Sequence, residues 1–244
     1  MYKSVVDTPL LKEIIHESDR SYVSSLFTER HYPKGSVVFF HGDECNEMYV
    51  IKSGTLKIYR QDAEREIVLG HQFAGEVIGE LEVFHYDNHR IASVATLEKS
   101  ALWMIKKADL EGLVKKYPEI LRKAFFIVSE RLNQANRKLE YMAFLDTRVR
   151  VANLLLDLYS NFGTSTEDGI INWKITQQHF ANMIGVGRES ASRALLDLQH
   201  EGIIQLENKM VRILDLKALQ AIAGGPEDNV TSSRRWHSTH KYIL

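Results

Sequence analysis

The sequence predicts an α+β fold in which a barrel of short strands comes first, one long helix follows, and two short helices with a β-hairpin come last. Three observations predict it. Between residues 32 and 105, short β-prone runs alternate with glycines. After Pro118, apolar residues recur at alternating spacings of four and three. Residues 175–214 contain two helical patterns followed by two β-prone runs.

The length and composition limit the class of protein. The chain has 244 residues, enough for two domains with their own cores, and its formal net charge is −1. No segment reaches the ~18 apolar residues of a membrane span, and the N-terminal residues lack the apolar core of a signal peptide. We therefore expect a cytoplasmic protein without membrane association.

The cysteine content excludes several kinds of covalent link and metal site within one chain. Cys45 is the only cysteine, so one chain cannot form a disulfide, a cysteine-based zinc site or an iron–sulfur cluster held by cysteines alone. Cys45 stands in a polar loop, Gly42–Glu47, where an inert thiol is favoured over a redox sensor. We expect no metal site.

The N-terminal barrel is predicted from six short β-prone runs. Strands that many and that short favour a barrel or jelly roll. The runs are Ser36–Phe40, Met48–Ile51, Leu56–Tyr59, Ile67–Leu69, Ser93–Thr96 and Ala101–Ile105. Lys52–Thr55 is predicted to be a hairpin turn, and the second Gly-Glu pair of Gly75–Leu81 is predicted to open a short helix.

A regular apolar seam follows Pro118. Its members occupy the a and d positions of three heptads. They are Leu121, Phe125, Val128, Leu132, Ala135, Leu139 and Met142. One end of this face could pack on the chain's own barrel, but a seam this long and regular favours the same helix of a second copy. We therefore predict a homodimer.

The same helix is long enough to join two domains. From Glu119 to Asp146 it would span about 42 Å at 1.5 Å per residue. Asp146 or Thr147 can cap the next helix, which is predicted over Arg148–Tyr159. We predict a hinge at this pair.

Residues 175–200 have the pattern of a helix, a tight turn and a second helix. Thr176 is a predicted N-cap, and Gly185 and Gly187 stand where a tight turn needs positive φ. Two further β-prone runs, Gly202–Leu206 and Met210–Leu214, follow. This order predicts a winged helix-turn-helix, whose second helix enters the major groove of DNA.

The second helix of this motif separates an apolar face from a polar one. At about 100° per residue, one arc contains Ala191, Ala194, Leu195 and Leu198, while Arg188, Glu189, Ser192 and Arg193 lie roughly opposite. A solvated surface helix is the alternative for this face taken alone, and the neighbouring helix and wing favour DNA recognition. The candidate DNA-binding residues are Arg188, Glu189, Ser192, Arg193, Thr176, Gln177 and Lys209.

Side-chain chemistry assigns roles to these residues. Arginine can bridge two acceptors of guanine and glutamate can accept from the cytosine amino group, so Arg188, Glu189 and Arg193 are predicted to read bases. Ser192, with Thr176 or Gln177, is predicted to hold phosphate. Lys209 gives the wing a positive tip.

The charge balance does not favour nucleic-acid binding. From residue 174 to 212 there are five Lys or Arg against four Asp or Glu. Positive potential must therefore come from placement, and we expect weak, strongly salt-dependent non-specific binding.

The order of these elements, over about residues 20 to 216, resembles the cyclic-AMP receptor and fumarate–nitrate regulator (Crp–Fnr) family of bacterial transcription factors. The most specific pieces are Gly79-Glu80-Leu81 with Arg90, Tyr117–Leu121, Ala143–Asp146, and Arg188-Glu189 with Ser192-Arg193.

The resemblance implies the domain organisation and the partners. It gives a cyclic-nucleotide-binding-type domain with an N-terminal helical leader at 1–117, a dimerisation helix at 118–146 and a winged helix-turn-helix at 147–223. The polar composition of residues 224–244, which begin with Gly-Gly-Pro, separately predicts a flexible tail. The resemblance also implies double-stranded DNA with a palindromic site, RNA polymerase as a partner, and a TGTGA-like half-site rather than the TTGAT-like half-site of the fumarate–nitrate branch.

The resemblance further implies an effector pocket framed by Gly79, Glu80, Leu81 and Arg90. Arg90 and backbone amides would meet the cyclic phosphate of a nucleotide, and Glu80 a ribose hydroxyl. The alternative is structural: Arg90 paired with Asp87 or Glu82, and Glu80 capping a turn.

Three positions depart from the pattern of cyclic-AMP binders. Ile91 follows Arg90 where those proteins have a hydroxyl residue, and Ala135 with Asn136 stands where two hydroxyl residues meet adenine. Asn136 could still bond a base edge. The sequence leaves open a small anionic effector or a pocket filled by side chains, and we predict that cyclic AMP is not the switch.

Other function classes are less consistent with the sequence. A barrel enzyme would need metal ligands, but His85 and His89 form only a loop pair and the HxH-plus-Glu pattern of metal-binding cupins is absent. A cyclic-nucleotide-binding regulatory subunit would not need the winged helix. A DNA-binding regulator that works without any effector stays open.

Overall fold

The computed structural model describes residues 2–63, 65–162, 169–171, 174–207 and 209–224. They form two compact units, Met1–Arg131 and Leu132–Ile243. The predicted tail lies outside the described residues from position 225 onward.

The first unit begins with a helical leader. It consists of two 3-10 turns, Val5–Asp7 and Glu17–Asp19, and a short helix, α1 (Arg20–Ser25). Its apolar side chains are buried, as in Val5, Leu11 and Val23.

Two antiparallel four-stranded sheets form the body of this unit. One has the order β1-β8-β3-β6 and the other β2-β7-β4-β5. The strands are β1 (Thr28–Tyr32), β2 (Val37–Phe39), β3 (Glu47–Ser53), β4 (Leu56–Gln61), β5 (Glu66–Gln72), β6 (Val77–Ile78), β7 (Ser93–Thr96) and β8 (Ser100–Lys106). The core draws on both sheets, with Tyr49, Ile51, Leu56 and Leu102 fully buried. The predicted roll of short strands is confirmed.

The prediction of a hairpin at Lys52–Thr55 is wrong. β3 pairs with β6 and β8, whereas β4 pairs with β5 and β7, so this turn carries the chain from one sheet to the other. Gly54 allows the crossing because its φ is +98° and a Cβ there would lie 2.1 Å from Ser100 Oγ. Short β-prone runs do not reveal which strands pair.

Three helices complete the region around the sheets: α2 (Glu80–Val83), α3 (Lys107–Lys116) and α4 (Glu119–Phe144). The helix predicted to open at the second Gly-Glu pair is α2. At its start, α4 is tied to the leader, since Lys123 Nζ donates to the carbonyls of Pro9 (2.9 Å) and Lys12 (3.1 Å).

The long helix α4 has two different faces. Ile120, Ala124 and Ile127 are buried in the first unit. Most large side chains of the seam are exposed in the single chain, for example Phe125 (74%) and Leu132 (60%). The helix ends at Phe144, two residues before the predicted end.

The second unit contains four further helices and a three-stranded sheet of order β10-β11-β9. Its elements are α5 (Thr147–Phe162), β9 (Ile170–Ile171), α6 (Gln177–Ile184), α7 (Arg188–His200), β10 (Ile204–Glu207), β11 (Met210–Ile213) and α8 (Leu216–Ala223). The predicted break is present, and Asp146 Oδ1 caps α5 by accepting from Val149 N at 2.9 Å.

Candidate functional site

The predicted turn between α6 and α7 is present, but the expected positive φ is found at Gly185 and not at Gly187, whose φ is −67°. Thr176 caps α6 by accepting from His179 N at 3.1 Å. Gly185 ends that helix in the left-handed conformation with φ +69°, and Gly187 is the N-cap residue of α7. These two helices therefore form a helix-turn-helix.

The two faces of α7 are separated as the sequence predicts. Ala191, Ala194, Leu195 and Leu198 are buried. The opposite face is polar, and Arg188, Glu189 and Arg193 on it are exposed. The helix thus presents two guanidinium groups and one carboxylate to solvent from a fixed backbone.

Ser192 and Gln177 join the two helices. The Ser192 hydroxyl donates to Gln177 Oε1 at 2.9 Å. This contact orients the Gln177 amide and occupies the hydroxyl proton of Ser192.

A cleft of about 560 Å³ separates α6 and α7 from the wing formed by β10 and β11. Its lining includes Thr176, Gln177, Arg188 and Lys209. Four of the seven predicted DNA-binding residues therefore border one surface feature. Lys209 has φ +66° at the wing turn, an uncommon conformation for a residue with a side chain.

Sequence reasoning missed an ion pair that supports α7. Arg148 on α5 donates two hydrogen bonds to the Glu201 carboxylate, at 2.6 and 2.5 Å. Glu201 is the C-cap residue of α7, so the pair ties the end of that helix to the start of α5. Its partners are 53 positions apart, and sequence spacing gives no signal for it.

In the first unit, Arg90 is the centre of the second candidate site. It is 2% exposed, its guanidinium lies 3.9 Å above the Phe39 ring, and Nη2 donates to Glu47 O at 2.8 Å. Its Nε and Nη1 atoms are buried and have no hydrogen-bond partner in the described residues. Two donors of a buried cation are therefore left for an acceptor.

Gly79 makes room for this guanidinium. Its φ is +79°, and a Cβ at this position would lie 2.3 Å from Arg90 Nη1. We expect Gly79→Ala to lower stability in differential scanning calorimetry of the full chain. Gly42→Ala is the matched control, since Gly42 has φ +87° and open space around the Cβ position.

Backbone strain alone costs about 1–2 kcal/mol and should affect both variants. The clash with Arg90 should make the loss for Gly79→Ala about 1–3 kcal/mol larger, the cost of disturbing hydrogen bonds of a buried charged group. Equal losses for the two variants would contradict the assigned role of Gly79.

Glu80 is buried and pairs with an arginine that sequence reasoning missed. Arg131 on α4 donates to Glu80 Oε1, to Val77 O (2.5 Å) and to Gln72 Oε1 (3.3 Å). Glu80 Oε2 has no partner in the described residues. Burial raises the pKa of the Glu80 carboxyl, and the Arg131 charge acts in the opposite direction. From sequence alone, a charged residue on a long helix is expected to be exposed to solvent. The contact between Arg131 and Glu80 was therefore not predicted.

The structural alternative considered for Arg90 is partly correct. Glu82, which is 4% exposed, places Oε2 3.8 Å from Arg90 Nη1, and its Oε1 accepts from Ile91 N at 3.1 Å. Asp87 instead pairs with His89 at 2.7 Å. Glu80 Oε1 binds Arg131, a partner that the alternative did not include.

The two other predicted pocket residues, Leu81 and Asn136, belong to different compact units. Leu81 is half-buried beside Glu80 on α2. Asn136 is exposed on α4 within the second compact unit, so its assignment to the pocket stays a prediction.

Within the described parts of the chain, no helix is long and apolar enough to cross a membrane. The same parts contain no group of three His, Cys, Asp or Glu side chains that could hold a metal ion. Cys45 is buried, and burial raises the pKa of its thiol.

A roll of short strands, a long helix and a winged helix-turn-helix together define a class of DNA-binding regulators. Two family models match the chain: a cyclic nucleotide-binding domain over residues 29–117 and a Crp-like helix-turn-helix domain over residues 149–222.

Several proteins similar to this chain are named as regulators that respond to cyclic AMP or cyclic di-GMP. The CRP-like cAMP-activated global transcriptional regulator of Mycobacterium tuberculosis is 32% identical over 77% of this chain and 84% of its own length. The cAMP-activated global transcriptional regulator Vfr of Pseudomonas aeruginosa is 30% identical over 74% and 86%. A solved structure, the c-di-GMP responsive global regulator CLP of Xanthomonas campestris, is 29% identical over 78% and 94%, with a TM-score of 0.72.

The chain belongs to the Crp–Fnr family of transcription regulators. It is a DNA-binding regulator with an effector-type domain, not an enzyme.

Proposed function

We propose that the chain acts as a homodimer that binds a palindromic site on double-stranded DNA in the cytoplasm and regulates transcription through contact with RNA polymerase. The observation that carries the proposal is the recognition surface of α7. Its apolar face is buried, while Arg188, Glu189 and Arg193 are exposed on the other face.

The roles on this surface follow from donor and acceptor geometry. Arg188 and Arg193 supply bidentate donors for guanine, and Glu189 accepts from a cytosine amino group. Because Ser192 donates to Gln177 Oε1, the Gln177 amide nitrogen is the donor that we assign to a phosphate, together with Thr176 and Lys209. Ser192 then acts mainly by positioning Gln177.

The dimer follows from the exposed seam of α4. Phe125, Leu132 and Leu139 are each at least 60% exposed in the single chain. A row of such side chains at heptad spacing is stabilised by the same helix of a second copy. Two winged helices related by a two-fold axis would read half-sites about one helical turn, ~34 Å, apart.

The effector domain is proposed to bias the two DNA-binding units by binding a small molecule. The similar proteins named above respond to cyclic AMP or cyclic di-GMP, and this chain keeps Glu80 and Arg90. A regulator that binds DNA without any effector is the second candidate, favoured by the internal pairing of Glu80 with Arg131 and of Arg90 with Glu82.

Titration of a fluorescent duplex tests the DNA-binding function. We expect a TGTGA-type palindrome to bind at least a thousandfold more tightly than a scrambled duplex, the lower end for specific sites. Affinity for both should fall steeply with salt, because phosphate contacts release counterions. Equal affinity for the two duplexes would contradict sequence-specific binding.

Calorimetry with cyclic AMP tests the effector prediction. Ile91 cannot donate to a phosphate from its side chain, and Ala135 cannot bond a base. Each loss is worth about 0.5–1.5 kcal/mol, and up to 3 at a charged group. We expect binding weakened by roughly ten- to a thousandfold relative to a site with both donors. Micromolar binding that raises DNA affinity more than tenfold would contradict the prediction.

A further inference from the structure

We propose that the Glu82 carboxylate occupies the anion position of the effector pocket, so that the pocket excludes a ligand phosphate and selects a ligand that is uncharged next to Arg90. The inference rests on the proposed effector role of this domain. It does not depend on how the second unit binds DNA.

The contacts of Glu82 are those that a bound phosphate would need. Its Oε1 accepts the backbone N–H of Ile91 at 3.1 Å, and its Oε2 lies 3.8 Å from Arg90 Nη1. Arg90 cannot turn away, since Phe39 lies under the guanidinium and Glu47 O binds Nη2. The Arg90 guanidinium beside Gly79 therefore faces a carboxylate of the same chain.

The balance of charges around Arg90 opposes the displacement of Glu82 by a phosphate. The side chains of Glu82 and Arg90 are 6% and 2% exposed, and the buried Glu80 pairs with the partly exposed Arg131. Two carboxylates thus stand against two guanidinium groups. A phosphate would add a third anion while these two pairs supply no further cation, and it would have to displace the buried Glu82 carboxylate from Arg90 and from the Ile91 N–H.

The arrangement makes Glu82 a specificity-determining residue. An uncharged ligand brings no third anion, so it can lie beside Arg90 without displacing Glu82. The Nε and Nη1 atoms of Arg90, which have no hydrogen-bond partner in the described residues, are the donors assigned to its hydroxyl or amide oxygen. A cyclic nucleotide cannot do so, because its anionic phosphate needs the position that the carboxylate holds.

Calorimetric titration with cyclic AMP and with adenosine tests the proposal. We expect Glu82→Gln and Glu82→Ala to bind cyclic AMP about ten- to a hundredfold more tightly than the parent chain, because the carboxylate no longer competes for Arg90. Adenosine lacks the phosphate, so its affinity should change less than threefold. Glu82→Gln keeps the size of the side chain and an acceptor for Ile91 N–H, so it decides the question if Glu82→Ala folds poorly.

Two controls isolate the carboxylate. Glu111→Ala removes an exposed glutamate on α3 and should leave cyclic AMP binding unchanged. Adding Arg90→Leu to Glu82→Gln should remove the gain, because the phosphate would lose its guanidinium.

The proposal is overturned if the parent chain binds cyclic AMP at micromolar concentration. It is also overturned if folded Glu82→Gln binds no better than the parent, or if the double variant keeps the gain. Loss of DNA binding by the parent chain would instead contradict the proposed function, and the cyclic AMP titrations would still stand.

Discussion

A chain carrying Val128→Glu and Leu132→Glu should be a monomer that binds palindromic DNA about two to four orders of magnitude more weakly. Both side chains belong to the apolar seam of α4, and four like charges facing one another in a dimer would replace four apolar contacts. Binding becomes weaker because a monomer contacts one half-site, whereas a dimer contacts both half-sites at once and gains avidity. Sedimentation velocity and DNA titration measure the two effects.

The matched control carries Asn133→Glu and Gln134→Glu. It adds the same number of charges to α4 within two residues of Leu132, at positions outside the seam, and it should remain a dimer with nearly unchanged affinity. Dimers of undiminished affinity in the Val128→Glu, Leu132→Glu chain would show that the seam is not the interface.

Arg188→Ala should cost about 1–3 kcal/mol of binding free energy at the preferred site and relax the preference at one base pair of each half-site. The reason is that an exposed guanidinium at the start of α7 can bridge two acceptors of guanine, whereas alanine offers no donor. Competition titrations with duplexes substituted at each half-site position give the preference directly.

Lys209→Ala is the comparison for this prediction. A lysine at the wing tip that contacts phosphate should weaken all sequences nearly equally and lower the salt slope by about 1. If Arg188→Ala behaves in the same way, Arg188 contacts phosphate and its assignment to base recognition is wrong.

Local patterns were sufficient for the helix-turn-helix of the second unit. An N-cap threonine, glycines that adopt positive φ or precede a helix, and helical spacing are all determined within about ten residues, and they placed α6 and α7 correctly. The strand β1 was missed because its residues, Thr28–Tyr32, are mostly exposed and charged. It is a strand through pairing with β8, which lies about seventy positions away.

The effector pocket was predicted less completely because its charges come from distant parts of the chain. The family resemblance placed Gly79, Glu80 and Arg90 in one group. It could not reveal that Arg131 reaches Glu80 from α4, or decide whether Arg90 faces Asp87 or Glu82. Such pairings depend on tertiary packing, which sequence separation does not encode.

Selection of bound duplexes from a random DNA pool by the full-length chain tests the central claim most directly, because it assumes neither a site nor an effector. The account predicts enrichment of an inverted repeat with TGTGA-like half-sites whose centres lie about one helical turn apart. Running the selection with and without a small-molecule extract of cells would show whether an effector is required. Enrichment of a single unrepeated half-site would contradict the dimer, and no enrichment under either condition would contradict sequence-specific DNA binding itself.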